Sequence, residues 1–301
     1  SLRFRESFQD ARTAVSRPDA IKDKDENDDA EQHDPGKGVG RGAAEPEKPL
    51  FPVFDALLLD GPGVAGCFRR RYGFDRAFGD SDARNASVLE RAVRYIEQAV
   101  SGIRNQHLRT LIERIFEREG VRAGFMKAPA AKGIHHNYVG GLLEHTLFVL
   151  KAIDALLPVY VHVGLNRDML YAGAILHDLG KIYEYSCEKV IEITPVGRLL
   201  GHIYLSAHMV DQEAGAMEGF PEELKLQLLH MILGHHGQLE FGSPKLPMTK
   251  EAIFLHMMDD LDAKLTGICS IIEATPEDET FTAFSSIYNR HLYTRSYRDE
   301  E

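Results

Sequence analysis

Apolar positions recur at helical spacing along most of the chain beyond residue 87. Ser87-Val88-Leu89-Glu90 has the form of a capping box, with Val93, Ile96 and Val100 following on one face. Leu108, Leu111, Ile112, Ile115 and Phe116 predict a second helix over about 105–119, stopped by Gly120. The stretch FMKAPAAKGIHHNYVGG is irregular. Helices are then predicted from about Leu142 to Leu157, closed by Pro158, and from the N-cap Asn166 to about His177, with Gly180 just past the end. Alternation and β-branched residues in IYEYSCEKVIEITP (182–195) predict a short β-hairpin. Helical spacing returns over about 199–218, 221–235 and 249–273, with Pro221 in the first turn of the second of these.

Upstream of residue 87 the pattern fails. Residues 1–50 are polar, charged and rich in Gly and Pro, and are expected to form a disordered tail. Residues 51–86 carry short apolar runs broken by glycine and read as an irregular segment of unknown role.

With 301 residues, 44% hydrophobic and 27% charged, the chain is long enough for one large core. No apolar run reaches the roughly 18 residues of a membrane span, and no basic-then-apolar leader is visible. Cys67, Cys187 and Cys269 are odd in number and far apart, which suits reduced thiols; the expected location is cytoplasmic. The sequence is compatible with a homo-oligomer. A net charge of -11 argues against a broad nucleic-acid coat, so a phosphate-bearing substrate must be held by local cations or metal ions.

Histidine changes the picture. Of 14, 11 lie between 135 and 256. His145 and His202 sit in otherwise apolar helical patterns. The pairs His177-Asp178 and His235-His236 fall at helix ends, and Asp259 lies on the last long helix. A single histidine on an apolar helix is more often a hydrogen-bonded core residue, and that reading is kept for His162, His208, His230 and His256. Taken jointly, the remaining imidazoles and carboxylates are poor core filler, because each carries a desolvation cost. Side chains converging from several helices are how a bundle builds a metal site. One ion would be held by His145, His177, Asp178 and Asp259, the other by Asp178 as a bridge with His202, His235 and His236. Imidazole and carboxylate without thiolate suit Mn, Fe, Co, Ni or Zn, with Mn, Fe, Co and Ni the expected cofactors. A water between two such cations is a nucleophile at neutral pH, and a phosphate ester is its natural target. Lys181 would touch the scissile phosphate or serve a helix end. Lys132, Arg198 and Lys245, each in a Gly- or Pro-bearing loop, are further substrate-binding candidates, as is His136, read with His135 as rim rather than ligand.

HHNYVGGLLEHT, AGAILHDLGK, GRLLGHI, GHHG with FGSPK, and HMMDDLDAK together resemble the HD-domain superfamily of metal-dependent phosphohydrolases, and within it the YhaM-type 3'-to-5' exoribonucleases, over about residues 87–295. The resemblance implies an all-α HD-domain helical bundle. It implies that His145, His177, Asp178 and Asp259 are core ligands and that His202, His235 and His236 are the extra ligands of a binuclear centre. Asp260 and Asp262 neighbour the last ligand; motif register favours Asp259. The YhaM-type enzymes are similar in carrying an OB-fold that holds single strands, whereas residues 1–86 do not read as five strands. Expected functions are a phosphodiesterase acting on RNA or DNA ends, a hydrolase of a cyclic dinucleotide or nucleoside polyphosphate, or a metal-stabilised binding module. Gly242-Ser243-Pro244 stands where cyclic-di-GMP phosphodiesterases have Gly-Tyr-Pro.

Overall fold

The computed structural model describes residues 81–295 apart from 132–135, 137 and 188–189, with only the backbone for 81–90. The expected tail over 1–50, most of the segment over 51–86, Cys67, Lys132 and His135 lie outside the described residues.

The described residues are mostly helical: α1 Ser81–Ser101, α2 Gln106–Glu117, α3 Val121–Lys127, α4 Gly141–Leu156, α5 Arg167–Leu176, α6 Lys181–Glu184, α7 Pro195–Ala216, α8 Glu222–Gly234 and α9 Lys250–Glu273. Between α6 and α7, β1 Tyr185–Ser186 and β2 Glu192–Ile193 form an antiparallel hairpin, pairing Tyr185 with Ile193 and Ser186 with Glu192. No helix among them is long and apolar enough to cross a membrane.

Side-chain caps set several helix starts. Asn105, Asn166, Thr194 and Thr249 each accept a backbone N–H three residues on, at the starts of α2, α5, α7 and α9. Carboxylates then tie the starts together. Asp168 accepts from Arg104 N (3.0 Å) and Asn105 N (2.8 Å), and Glu251 accepts from Asn166 N (2.9 Å). Helix α5 is buried from Met169 to Leu176 and packs against α2, α4, α8 and α9. A helix apolar all round belongs at the centre of a bundle, and here it ends in the buried polar pair His177 and Asp178.

Three departures from the sequence reading have local causes. Ser87 is inside α1, which begins at Ser81, so its capping-box pattern does not mark a start. Helix α3, which no helical spacing predicted, overlaps the stretch read as irregular in its last three residues, and its first turn follows Gly120 in a left-handed conformation (φ 79°). Helix α7 begins at Pro195 and is broken at Gly201 (φ 71°, ψ 157°), a backbone region open essentially to glycine alone. The break starts a second helical segment at His202.

Candidate metal centre

Five helical segments deliver the cluster. His145 comes from the middle of α4, His177 and Asp178 from the end of α5, His202 from the second segment of α7, His235 and His236 from the end of α8, and Asp259 from α9. All seven meet. His145 Nε2 lies 3.1 Å from Asp259 Oδ1, 3.3 Å from His177 Nε2 and 3.6 Å from Asp178 Oδ2. On the other side of the same carboxylate, Asp178 Oδ1 lies 3.4 Å from His202 Nε2 and 3.5 Å from His235 Nε2, and His202 Nε2 is 3.3 Å from His236 Nε2. Asp178 thus gives one oxygen to each of two donor clusters. Asp260 instead pairs with Lys264 (2.6 Å), which leaves Asp259 as the α9 residue at the centre.

The outer nitrogen of each ring is engaged. His177 Nδ1 donates to Ala174 O (2.9 Å), His235 Nδ1 to Ile232 O (2.6 Å) and His236 Nδ1 to Phe241 O (2.7 Å). His145 Nδ1 meets Asp262 Oδ2 (2.7 Å) and His202 Nδ1 meets Glu184 Oε2 (2.8 Å). Fixing the proton on Nδ1 turns the Nε2 lone pair inward, as metal-bound imidazoles require. Behind His145 a further chain runs: Asp262 Oδ2 is 2.9 Å from His136 Nε2, and His136 Nδ1 is 2.7 Å from Glu144 Oε2. His136 is therefore buried behind a ligand candidate rather than exposed at a rim. Glu144 and Glu184 went unread in the sequence, where each looks like an ordinary surface charge, and Asp262 was noted only as a neighbour of the last ligand.

The residues fit a pair of cations. Two ligands about 2.1 Å from one ion stand about 3.0–3.4 Å apart, close to the inward spacings here. Asp178 Oδ1 and His235 Nε2 are buried with no hydrogen-bond partner. Such orphans cost about 1–3 kcal/mol each, and a shared cation would satisfy both. Burial lowers the proton affinity of His202, His235 and His236, favouring the neutral, ligating form. Burial would lower His145 too, but hydrogen bonds to Asp259 and Asp262 push it up to about 10. The carboxylates that draw a proton to its Nε2 would equally draw a metal ion. Burial would raise Asp178, yet the Lys181 ammonium, 2.5 Å from Oδ2, and His177 hold it well below the usual carboxylate range. Burial likewise opposes ionisation of Asp259 and Asp262, and the facing histidines overcome it in both.

Of the other candidates, Lys181 is buried beside Asp178 as the first residue of α6. Arg198 and Lys245 are exposed, one on the segment leading to His202, the other in the loop after His236. The histidines read as structural divide: His256 Nδ1 donates to His235 O (2.8 Å), steadying a ligand candidate, and His230 Nε2 accepts from Met248 N (2.8 Å).

Residues 142–264 match the HD domain family, and all seven ligand candidates fall within them. The chain is 35% identical over 202 residues to the 3'-5' exoribonuclease YhaM of Shouchella clausii (strain KSM-K16), covering 67% of this chain and 62% of that protein. It is 41% identical over 169 residues to that of Geobacillus sp. (strain WCH70), covering 56% and 51%. It is 37% identical over 198 residues to that of Bacillus subtilis (strain 168), covering 66% and 62%. It thus spans less than two thirds of the length of these relatives. No solved structure gives a significant match. On the match and on the converging histidines and aspartates together, the chain carries an HD domain.

Proposed function

We propose that this protein is a metal-dependent phosphodiesterase that removes nucleotides from the 3' ends of single-stranded RNA or DNA. The observation that carries the proposal is Asp178, whose two oxygens face two separate donor clusters. The relatives' described activity on RNA supplies the substrate class.

Bound by His145, His177, Asp178 and Asp259, and by Asp178, His202, His235 and His236, two divalent transition-metal ions would supply charge neutralisation and an activated water for in-line displacement. The chain's own part is positional. Asp178 holds the two halves of the centre in register. Lys181 keeps Asp178 ionised and adds a positive charge beside the scissile phosphate. The more accessible side is that of His202 and Asp259, whose side chains are 12% and 13% exposed, against 0–3% for His145, His177, Asp178 and His235. Arg198 and Lys245, exposed on the segments leading to and from the outer pair of histidines, would take flanking phosphates. Free Cys187 and Cys269 suit a reducing cytoplasmic setting.

The net charge of -11 favours a second reading, hydrolysis of a small nucleotide, since the chain lacks the overall charge to track a long polyanion. End-labelled single-stranded RNA incubated with the manganese-loaded protein separates the two. A ladder of shortened products is expected. Intact RNA beside hydrolysed cyclic dinucleotide or nucleoside polyphosphate would establish the second reading, and no turnover of either would leave a binding module. Asp178→Ala is expected to lower turnover by at least about 1000-fold and bound metal to below one ion per chain; full activity with normal metal content would reject the bridge.

A further inference from the structure

Two chain segments meet at the outer histidine pair, and both expose large apolar side chains. The first runs Arg198-Leu199-Leu200-Gly201 into His202; Leu199 is 83% exposed and Leu200 49%. The second leaves His236 through Gly237 and forms a 3-10 turn, Leu239–Phe241, in which Leu239 and Phe241 are each 58% exposed. The two segments are linked at the centre, where His202 Nε2 and His236 Nε2 stand 3.3 Å apart. Neither is a loose loop. Phe241 O accepts from His236 Nδ1 (2.7 Å), Ser243 N donates to Gln238 O (3.2 Å), and the buried Ser243 hydroxyl reaches Leu233 O (3.0 Å) and Lys245 O (2.8 Å). The turn is therefore pinned both to a ligand candidate and to the end of α8.

An aromatic ring held in water on a fixed turn beside a phosphate-cleaving centre has an evident use. Each segment also carries one exposed cation, Arg198 or Lys245. Apolar surface with a nearby cation is the complement of a nucleotide, which pairs a flat, weakly hydrated base with a charged phosphate. It suits a polyanionic backbone or a second acidic copy of this chain less well. We propose that Phe241, with Leu239, Leu199 and Leu200, forms a nucleobase subsite that stacks the base of the nucleotide whose phosphate lies at the centre. The proposal rests on the nucleotide-substrate reading above and names the side chain that grips the base. Stacking on one ring tolerates every base, so the subsite confers preference for a nucleotide end rather than for a sequence.

Phe241→Ala keeps the backbone carbonyl that holds His236, and Phe241→Trp restores a stacking face. Three readouts test the proposal. On a single-stranded oligonucleotide with a base at its 3' end, Phe241→Ala is expected to raise KM about 5- to 100-fold with kcat nearly unchanged, and Phe241→Trp to restore KM. On the same oligonucleotide with an abasic 3' residue, wild type and Phe241→Ala are expected to have equal KM. Metal content by elemental analysis is expected to be equal in all three proteins. Equal losses on both substrates, or loss of metal in Phe241→Ala, would make Phe241 a prop for His236 and overturn the subsite. Should wild type cut no oligonucleotide, the nuclease reading fails by itself. The subsite is then read from 2-aminopurine nucleoside 5'-monophosphate fluorescence: quenching by wild type and Phe241→Trp but not by Phe241→Ala sustains it, and identical quenching by all three overturns it.

Discussion

Which imidazole nitrogen is left over decides the chemistry of single side chains at the centre. Backbone carbonyls take the outer nitrogen of His177, His235 and His236, and carboxylates take that of His145 and His202. The order and glycine punctuation of the ligand candidates could be read directly, because a bundle must spend one polar residue from each helix at a fixed place. Their supports could not. Asp262 and Glu144 look like solvated helical charges until α4 and α9 are packed together, and His136, expected at a rim, lies between them at φ 47°. Removing this support should be felt at the metal. His136→Ala leaves Asp262 and Glu144 buried without their common partner and is expected to weaken metal binding about 10- to 100-fold. Competition with a chromophoric chelator measures it, with circular dichroism showing retained helix; unaltered affinity would make the chain from Glu144 to His145 irrelevant to the site.

Elements are joined by polar contacts as well as by apolar ones. Asp154 on α4 accepts from Tyr95 on α1 and Tyr171 on α5, and Arg167 Nη2 donates to Tyr171 Oη at 2.8 Å. Asp154→Ala strands two phenols and is expected to cost about 1–3 kcal/mol, read from the urea midpoint. Burial, then the hydrogen bond to Asp154, raises the Tyr171 phenol to about 12. Its folded value exceeds its unfolded value, so the stability it gives is complete below about pH 10 and fades as pH climbs through about 12. Ultraviolet titration should find that phenol ionising late in wild type and earlier in Asp154→Ala; identical titrations would refute the assignment. Gly180 shows why helix boundaries were only partly legible. It reads as a helix-ending glycine, yet its φ is -59° and needs no special freedom. A Cβ there would stand 2.3 Å from His202 O and 2.7 Å from Ser206 N. The residue is small so that α7 can bring His202 against Asp178, a packing demand that no local pattern encodes. The break at Gly201 escapes the pattern for a related reason, since a glycine inside apolar helical spacing looks merely tolerated.

For the whole molecule, the all-helical class and the hairpin followed from periodicity, because both rest on local spacing. The convergence of five helical segments was expected instead from the ligand types and the resemblance, and it depends on how the bundle closes around α5. Closure places inward-facing lone pairs and carboxylates that repel one another unless cations lie between them. Adding manganese to chelator-stripped protein is therefore expected to raise Tm: at 100 times Kd the gain is about 2.7 kcal/mol, roughly 5–10 °C for a domain of this size. Magnesium, a hard ion with little appetite for imidazole, should raise it less. Calorimetry showing no manganese-dependent shift would mean that the folded chain does not bind the ion.

A carboxylate that serves two masters makes them interdependent. On the two-ion reading proposed above, orienting Asp178 for one cluster fixes the direction its other oxygen offers, so filling either half of the centre would change the affinity of its neighbour. By thermodynamic reciprocity the effect is equal in both directions, and the filling curve should depart from that of two unrelated sites.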